Sequence, residues 1–157
     1  MDKQKGRLYL IRSGPYFKIG RTNDLRKRLS QYTCCNPTYI ELLGSIEVED
    51  VNTAEKRFHN KLQLLRLPHR REWFYYREEI VNRILRGKSF DGLDLLNERI
   101  AALRYNLQKN WSEVIEELEA RFGKQLNRSD VFFRYYKQRH DSESRHYEDN
   151  LTPSNAR

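Results

Sequence analysis

Hydrolysis of a phosphodiester needs a group that activates the nucleophile, positive charge where the phosphoryl group becomes more anionic, and usually a hard cation held by carboxylate. The first 75 residues of this 157-residue chain contain all three residue types: Tyr9, Lys18, Arg28 and Glu55, with His59 four residues past Glu55 and Glu72 beyond it. Singly, each has a plainer reading. A strand tyrosine is commonly a half-buried aromatic, a helix arginine a solvated charge, and a histidine at the rim of an apolar face a hydrogen-bonded packing residue. Their weight depends on whether the elements between them bring them to one surface.

The patterning supplies such elements. Residues 7–12 and 16–20 are aromatic and branched-aliphatic runs separated by Ser13, Gly14 and Pro15, which predicts a β-hairpin with Tyr9 in one strand and Lys18 in the other. Asn23 or Asp24 caps a following helix with Leu25, Leu29 and Tyr32 on one face and Arg26, Lys27 and Arg28 on the rest, ending before Asn36-Pro37. A third strand is expected within residues 39–48, with a bulge or bend at Gly44. From Val51 to Leu65 the period is helical, and Val51, Ala54, Phe58, Leu62 and Leu65 span about 80° of arc. Glu55 and His59 then lie on the rim of the apolar face. After Pro68 the segment Arg70-Arg71-Glu72-Trp73-Phe74 returns to the core through its two aromatics, and Glu72 either joins the site or pairs with Arg70 or Arg71.

Charge narrows the class of partner. The chain carries a formal +8, which concentrates a polyanion around it and makes nucleic acid the expected ligand. The excess is uneven: residues 1–80 hold 16 basic and 10 acidic side chains, against 14 and 12 beyond them. No apolar run approaches the roughly 20 residues that span a bilayer, and the N-terminus lacks a signal-peptide core, so no membrane association is expected. Adjacent Cys34 and Cys35 form neither a long-range staple nor a C-x-x-C metal knuckle, consistent with a reducing intracellular compartment.

The order of a strand with a central tyrosine, a strand ending Lys18-Ile19-Gly20, an arginine eight residues past that glycine and then a helical glutamate resembles the GIY-YIG endonuclease superfamily. Leu8-Tyr9-Leu10, the stretch from Gly20 to Leu29, Ala54-Glu55-Lys56 with His59, and Glu72-Trp73-Phe74 are similar to the short branch described from bacteriophage reading frames. The likeness covers about residues 7–76. It implies an α+β fold with a small three-stranded antiparallel sheet flanked by helices, and metal-dependent cleavage of DNA. Tyr9 would activate or position the attacking water, Arg28 would contact the scissile phosphate, and Glu55 would hold one Mg2+ or another divalent cation such as Mn2+. Lys18 stands where a second tyrosine is usual in the superfamily. Its ammonium would stabilise phosphate charge, or transfer a proton if burial lowered its pKa. His59 and Glu72 are candidates for completing the site, because a downstream asparagine common in relatives has no counterpart. Arg21, Arg26 and Lys27 are the expected nucleic-acid contacts. The rival reading is a module that keeps the fold and binds nucleic acid without cutting it.

The composition changes near residue 90, so the domains are expected at 1–88, with a helical region over 89–140 and a polar flexible tail over 141–157. Leu95, Ile100, Leu103 and Leu107, then Val114, Leu118 and Phe122, mark two helices joined near Asn110-Trp111. A third, capped by Asn127 or Ser129, would carry Arg128, Arg134, Lys137 and Arg139, and residues 111–139 then have a helix-turn-helix outline. Glu113, Glu116, Glu117 and Glu119 on the preceding helix would repel a nucleic-acid backbone. A helical support, or a surface for a homodimer, is the preferred reading.

Overall fold

The computed structural model describes residues 2–35 and 39–122, and the third C-terminal helix and the tail expected from sequence lie outside them. The chain divides into two compact units, Met1–Leu107 and Gln108–Arg157. The first is α+β. Strands β1 (Gly6–Ser13) and β2 (Tyr16–Thr22) form the expected hairpin, with Gly14 at φ +57° supplying the left-handed turn residue. Helix α1 (Leu25–Cys35) follows, capped by Asp24, whose Oδ1 accepts from the Lys27 amide at 3.0 Å. Strand β3 (Glu41–Val48) then pairs antiparallel to the far side of β1. Opposite Leu10 and Ile11 the register jumps from Gly44 to Leu42, leaving Leu43 as the bulge.

Helix α2 (Val51–Lys61), capped by Asp50, ends sooner than the apolar period suggested. A 3₁₀ turn over Gln63–Leu65 takes over and still delivers Leu62 and Leu65 to full burial. The sheet has five strands rather than three, because the chain continues through β4 (Arg66–Leu67) and β5 (Arg70–Tyr75), a hairpin whose second strand pairs with β2. The spatial order is β3-β1-β2-β5-β4, every pairing antiparallel.

Antiparallel partners share a face of the sheet, so the register sorts the side chains. Leu8, Leu10, Phe17, Ile19 and Phe74 fall on one face and are fully buried. Helix α2 covers this face through Val51 and His59, and helix α3 (Glu78–Leu85) packs so closely that a Cβ on Gly44 would come within 2.8 Å of Leu85 Cδ2. Tyr9, Lys18, Gly20 and Trp73 fall on the opposite face, where α1 packs through Tyr32.

The first unit runs past residue 88 to Leu107. Helix α4 (Leu95–Ala101) continues as a π-helical turn over Ala102–Asn106, and it buries Arg99 completely. The Arg99 guanidinium donates to the carbonyls of Leu64 and Arg66, both at 2.9 Å, and lies over the Tyr75 ring. Beside it, Glu98 accepts from Arg77 Nε at 2.6 Å. In the second unit α5 (Trp111–Phe122) starts at a reciprocal capping box between Asn110 and Glu113. Among the described residues no helix is long and apolar enough to cross a membrane.

Candidate active site

The site is organised by one close approach in the β1–β2 hairpin. Tyr9 is paired with Gly20, and a Cβ at that position would overlap the Tyr9 hydroxyl and Cζ. Only glycine leaves room for the phenol ring to lie across the neighbouring strand. The ring is therefore buried, 1% exposed, and its hydroxyl meets the Tyr32 hydroxyl from α1 at 2.9 Å. Burial, then the Tyr32 hydrogen bond, push the Tyr9 phenol well above the ordinary tyrosine range, and the Arg28 charge offsets only part of this. Tyr9 stays a neutral phenol across the working pH range of most proteins.

Lys18 stands on the same face as Tyr9. Its ammonium lies 2.6 Å from Glu72 Oε2 on β5 and 5.6 Å from the centroid of the Tyr32 ring. Burial alone would lower its pKa, but the hydrogen bonds to Glu72 and Tyr32 and the Glu72 charge outweigh that, and the net shift is upward. Lys18 is thus a permanent cation. Glu72 is shifted the other way, chiefly by the Lys18 hydrogen bond, with the charges of Lys18, His59 and Arg28 assisting against desolvation. Of the two roles left open for Glu72, its side chain takes the one beside Lys18, and no ion pair with Arg70 or Arg71 forms among the described residues.

Arg28 acts on both Tyr9 and Glu72 through its charge, so α1 brings it to the same cluster. It remains exposed, with its Nη1 only 3.3 Å from Gln31 Oε1. Arg26 and Lys27 are likewise exposed on α1. Arg21 points to Glu55, its Nε 3.3 Å from Oε2. His59 places Nε2 3.1 Å from the Ile19 carbonyl and packs on Phe74, so its ring fills the packing role as well as contributing charge at Glu72.

Glu55 lies one helical turn before His59 and is mostly covered, its side chain 19% exposed. Among the described residues no three His, Cys, Asp or Glu side chains converge on a common point. A divalent ion here would have one protein carboxylate and complete its shell with water and phosphate oxygen, which is a common arrangement for Mg2+. Glu55 fits that donor chemistry, its close partner among the described residues being the exposed Arg21.

Tyr32 is the member that sequence reasoning missed. Its place beside Leu25 and Leu29 reads as a packing face, yet it contacts both Tyr9 and Lys18. The available signal was its spacing of four from Arg28, which puts both on one side of α1. Among known families, the model of the T5orf172 domain matches residues 6–88, more than half of the chain and the whole of this cluster. No curated protein and no solved structure matches the chain.

Proposed function

This chain belongs to the T5orf172 domain family, and from that membership we propose that it is a metal-dependent endonuclease of the GIY-YIG type, hydrolysing phosphodiester bonds in DNA. The observation that carries the reading is the Lys18 ammonium lying against the ring of Tyr32, whose hydroxyl meets that of Tyr9, on the helix that also carries the exposed Arg28. A half-buried ammonium that stays charged is a fixed source of positive potential for a phosphoryl group. Lys18 therefore acts as a charge and not as a proton carrier. Entering phosphate competes with the Glu72 carboxylate for it.

Tyr9, held neutral and buried, orients the hydroxyl of Tyr32, and that outer hydroxyl positions the attacking water. Arg28 has the freedom to close on the non-bridging oxygens as their charge grows. Glu55 would hold Mg2+ or Mn2+, which when bound supplies Lewis-acid stabilisation of the phosphoryl oxygens.

A second reading draws on the tight Lys18–Glu72 contact: a pre-neutralised cation suits a module that binds nucleic acid without cutting it. Titrating magnesium, then manganese, against supercoiled plasmid with the full chain separates the two. Nicked and linear products that increase with metal are expected. Retarded but intact plasmid at every metal concentration would overturn the nuclease reading in favour of the binding module.

A further inference from the structure

Strand β5 outruns its neighbour. It pairs with β2 only from Tyr75 to Trp73, so Arg70, Arg71 and Glu72 run on beyond the last rung, joined to the two-residue β4 through the turn Pro68-His69. The hairpin end carries His69, Arg70 and Arg71, all exposed. Neither arginine has an ion-pair or hydrogen-bond partner among the described residues. Arg70 and Arg71 are adjacent in β5 where its register to β4 shifts, so the exposed tip of the ribbon carries two neighbouring positive charges.

The base of this ribbon is fixed while its tip is bare. Arg99 holds the carbonyls of Leu64 and Arg66 and stacks on Tyr75, and Arg66 donates to the His59 carbonyl at 3.0 Å. The tip also adjoins the site, since the residue after Arg71 is Glu72, whose carboxylate meets Lys18. Lys18 in turn contacts Tyr32 on α1, so it lies between the basic helix and the basic hairpin.

We propose that the β4–β5 hairpin is a nucleic-acid-gripping finger, Arg70 and Arg71 binding backbone phosphates of duplex DNA next to the bond held at Lys18 and Arg28. Unpaired arginines on a braced ribbon fit phosphate oxygens through their planar donor forks, and a two-stranded ribbon is narrow enough to enter a major groove. The choice of DNA as the anion rests on the nuclease reading. Because phosphate contacts release counterions, each one adds about 0.9 to the slope of log affinity against log salt.

The test is fluorescence anisotropy of a labelled duplex oligonucleotide with the full chain, in EDTA, across a series of KCl concentrations. R70Q/R71Q should lower the slope by between about 1 and 2 relative to wild type. R70K/R71K should keep the wild-type slope, and R86Q/K88Q, which removes two equally exposed charges from the end of α3, should keep it too. An unchanged slope in R70Q/R71Q would overturn the finger, as would an equal drop in R86Q/K88Q, which would trace the effect to net charge. Plasmid cleavage by wild type is scored separately. Cleavage with an unchanged R70Q/R71Q slope sinks the finger alone, whereas a lowered slope with no cleavage at any magnesium or manganese concentration sinks the nuclease and leaves the finger standing.

Discussion

Two polar clusters in the first unit use charge in opposite ways. At Lys18, Arg28, Tyr32 and Glu72 the groups are half-buried or exposed. At Glu98 and Arg99 the groups are drawn inside, with Glu98 at 6% exposure and Arg99 at none; Arg99 Nη1 donates to two backbone carbonyls, and Glu98 accepts from Arg77. Burying a charge is costly unless it is hydrogen-bonded, so a fully buried arginine turned to the main chain has no capacity to reach a ligand. An arginine left at the surface keeps that capacity. The comparison separates a brace from a site by where each charge is spent, although both hold guanidinium and carboxylate.

The sharpest break would come at Glu55. E55A should fold with an unchanged melting temperature and lose magnesium-dependent cleavage altogether, because a rim carboxylate can be removed without opening the core. Retained cleavage would place the metal elsewhere. K18M should be inactive at every pH, and the wild-type pH–rate profile should show no group titrating where a lysine of depressed pKa would appear, since the shift at Lys18 is upward. An active K18M enzyme would remove the fixed-charge role. R28A should reduce turnover by about 100- to 1000-fold, comparable to losing one transition-state donor, with a much smaller change in DNA affinity. Equal losses in both would make Arg28 a binding clamp.

In the brace the effects move from activity to stability. R99M strands the carbonyls of Leu64 and Arg66, and at about 1–3 kcal/mol for each unpaired buried group it should cost on the order of 3 kcal/mol in urea unfolding. A loss under about 0.5 kcal/mol would mean that water replaces the guanidinium. The smallest effect belongs to Glu72, a half-exposed partner. Its folded pKa is depressed, so its contribution is present above the unfolded value and lost as pH falls through the folded one. The stability gap between wild type and E72Q, below about 1 kcal/mol at pH 7, should close as pH falls below the ordinary carboxylate range and through the depressed folded value. A gap persisting once the carboxyl is protonated would point to packing instead of charge.

Much of this was legible in the chain. The β1–β2 hairpin, the Asp24 cap and the irregularity near Gly44 follow from turn residues, a capping side chain and a glycine in a strand, all local signals. The same period that marked α2 also identified Leu62 and Leu65 as core, though the helix gives way to a 3₁₀ turn before reaching them. Strands β4 and β5 escaped because β4 is two residues long and Arg70-Arg71-Glu72 shows no alternation of apolar and polar residues. Arg99 was illegible for a deeper reason. Its partners are main-chain carbonyls, which every residue has, so no side-chain pattern announces them. Within the cluster, Tyr9 and Lys18 share a sheet face as the hairpin implies; Tyr32 was hidden by its apolar neighbours, and of the two roles open to Glu72 the contact with Lys18 is the one that forms.

The outer borders of the sheet carry one further consequence. One margin is β3, bulged at Leu43 and bearing Glu41 and Glu47, and the other is β4, which offers only two residues of ladder. A second copy arriving edge-on would find a kinked, acidic rim on one flank and almost no rim on the other. Both are devices that keep β-proteins from polymerising through their margins. Neither margin therefore offers a second copy a straight ladder along which to extend the sheet.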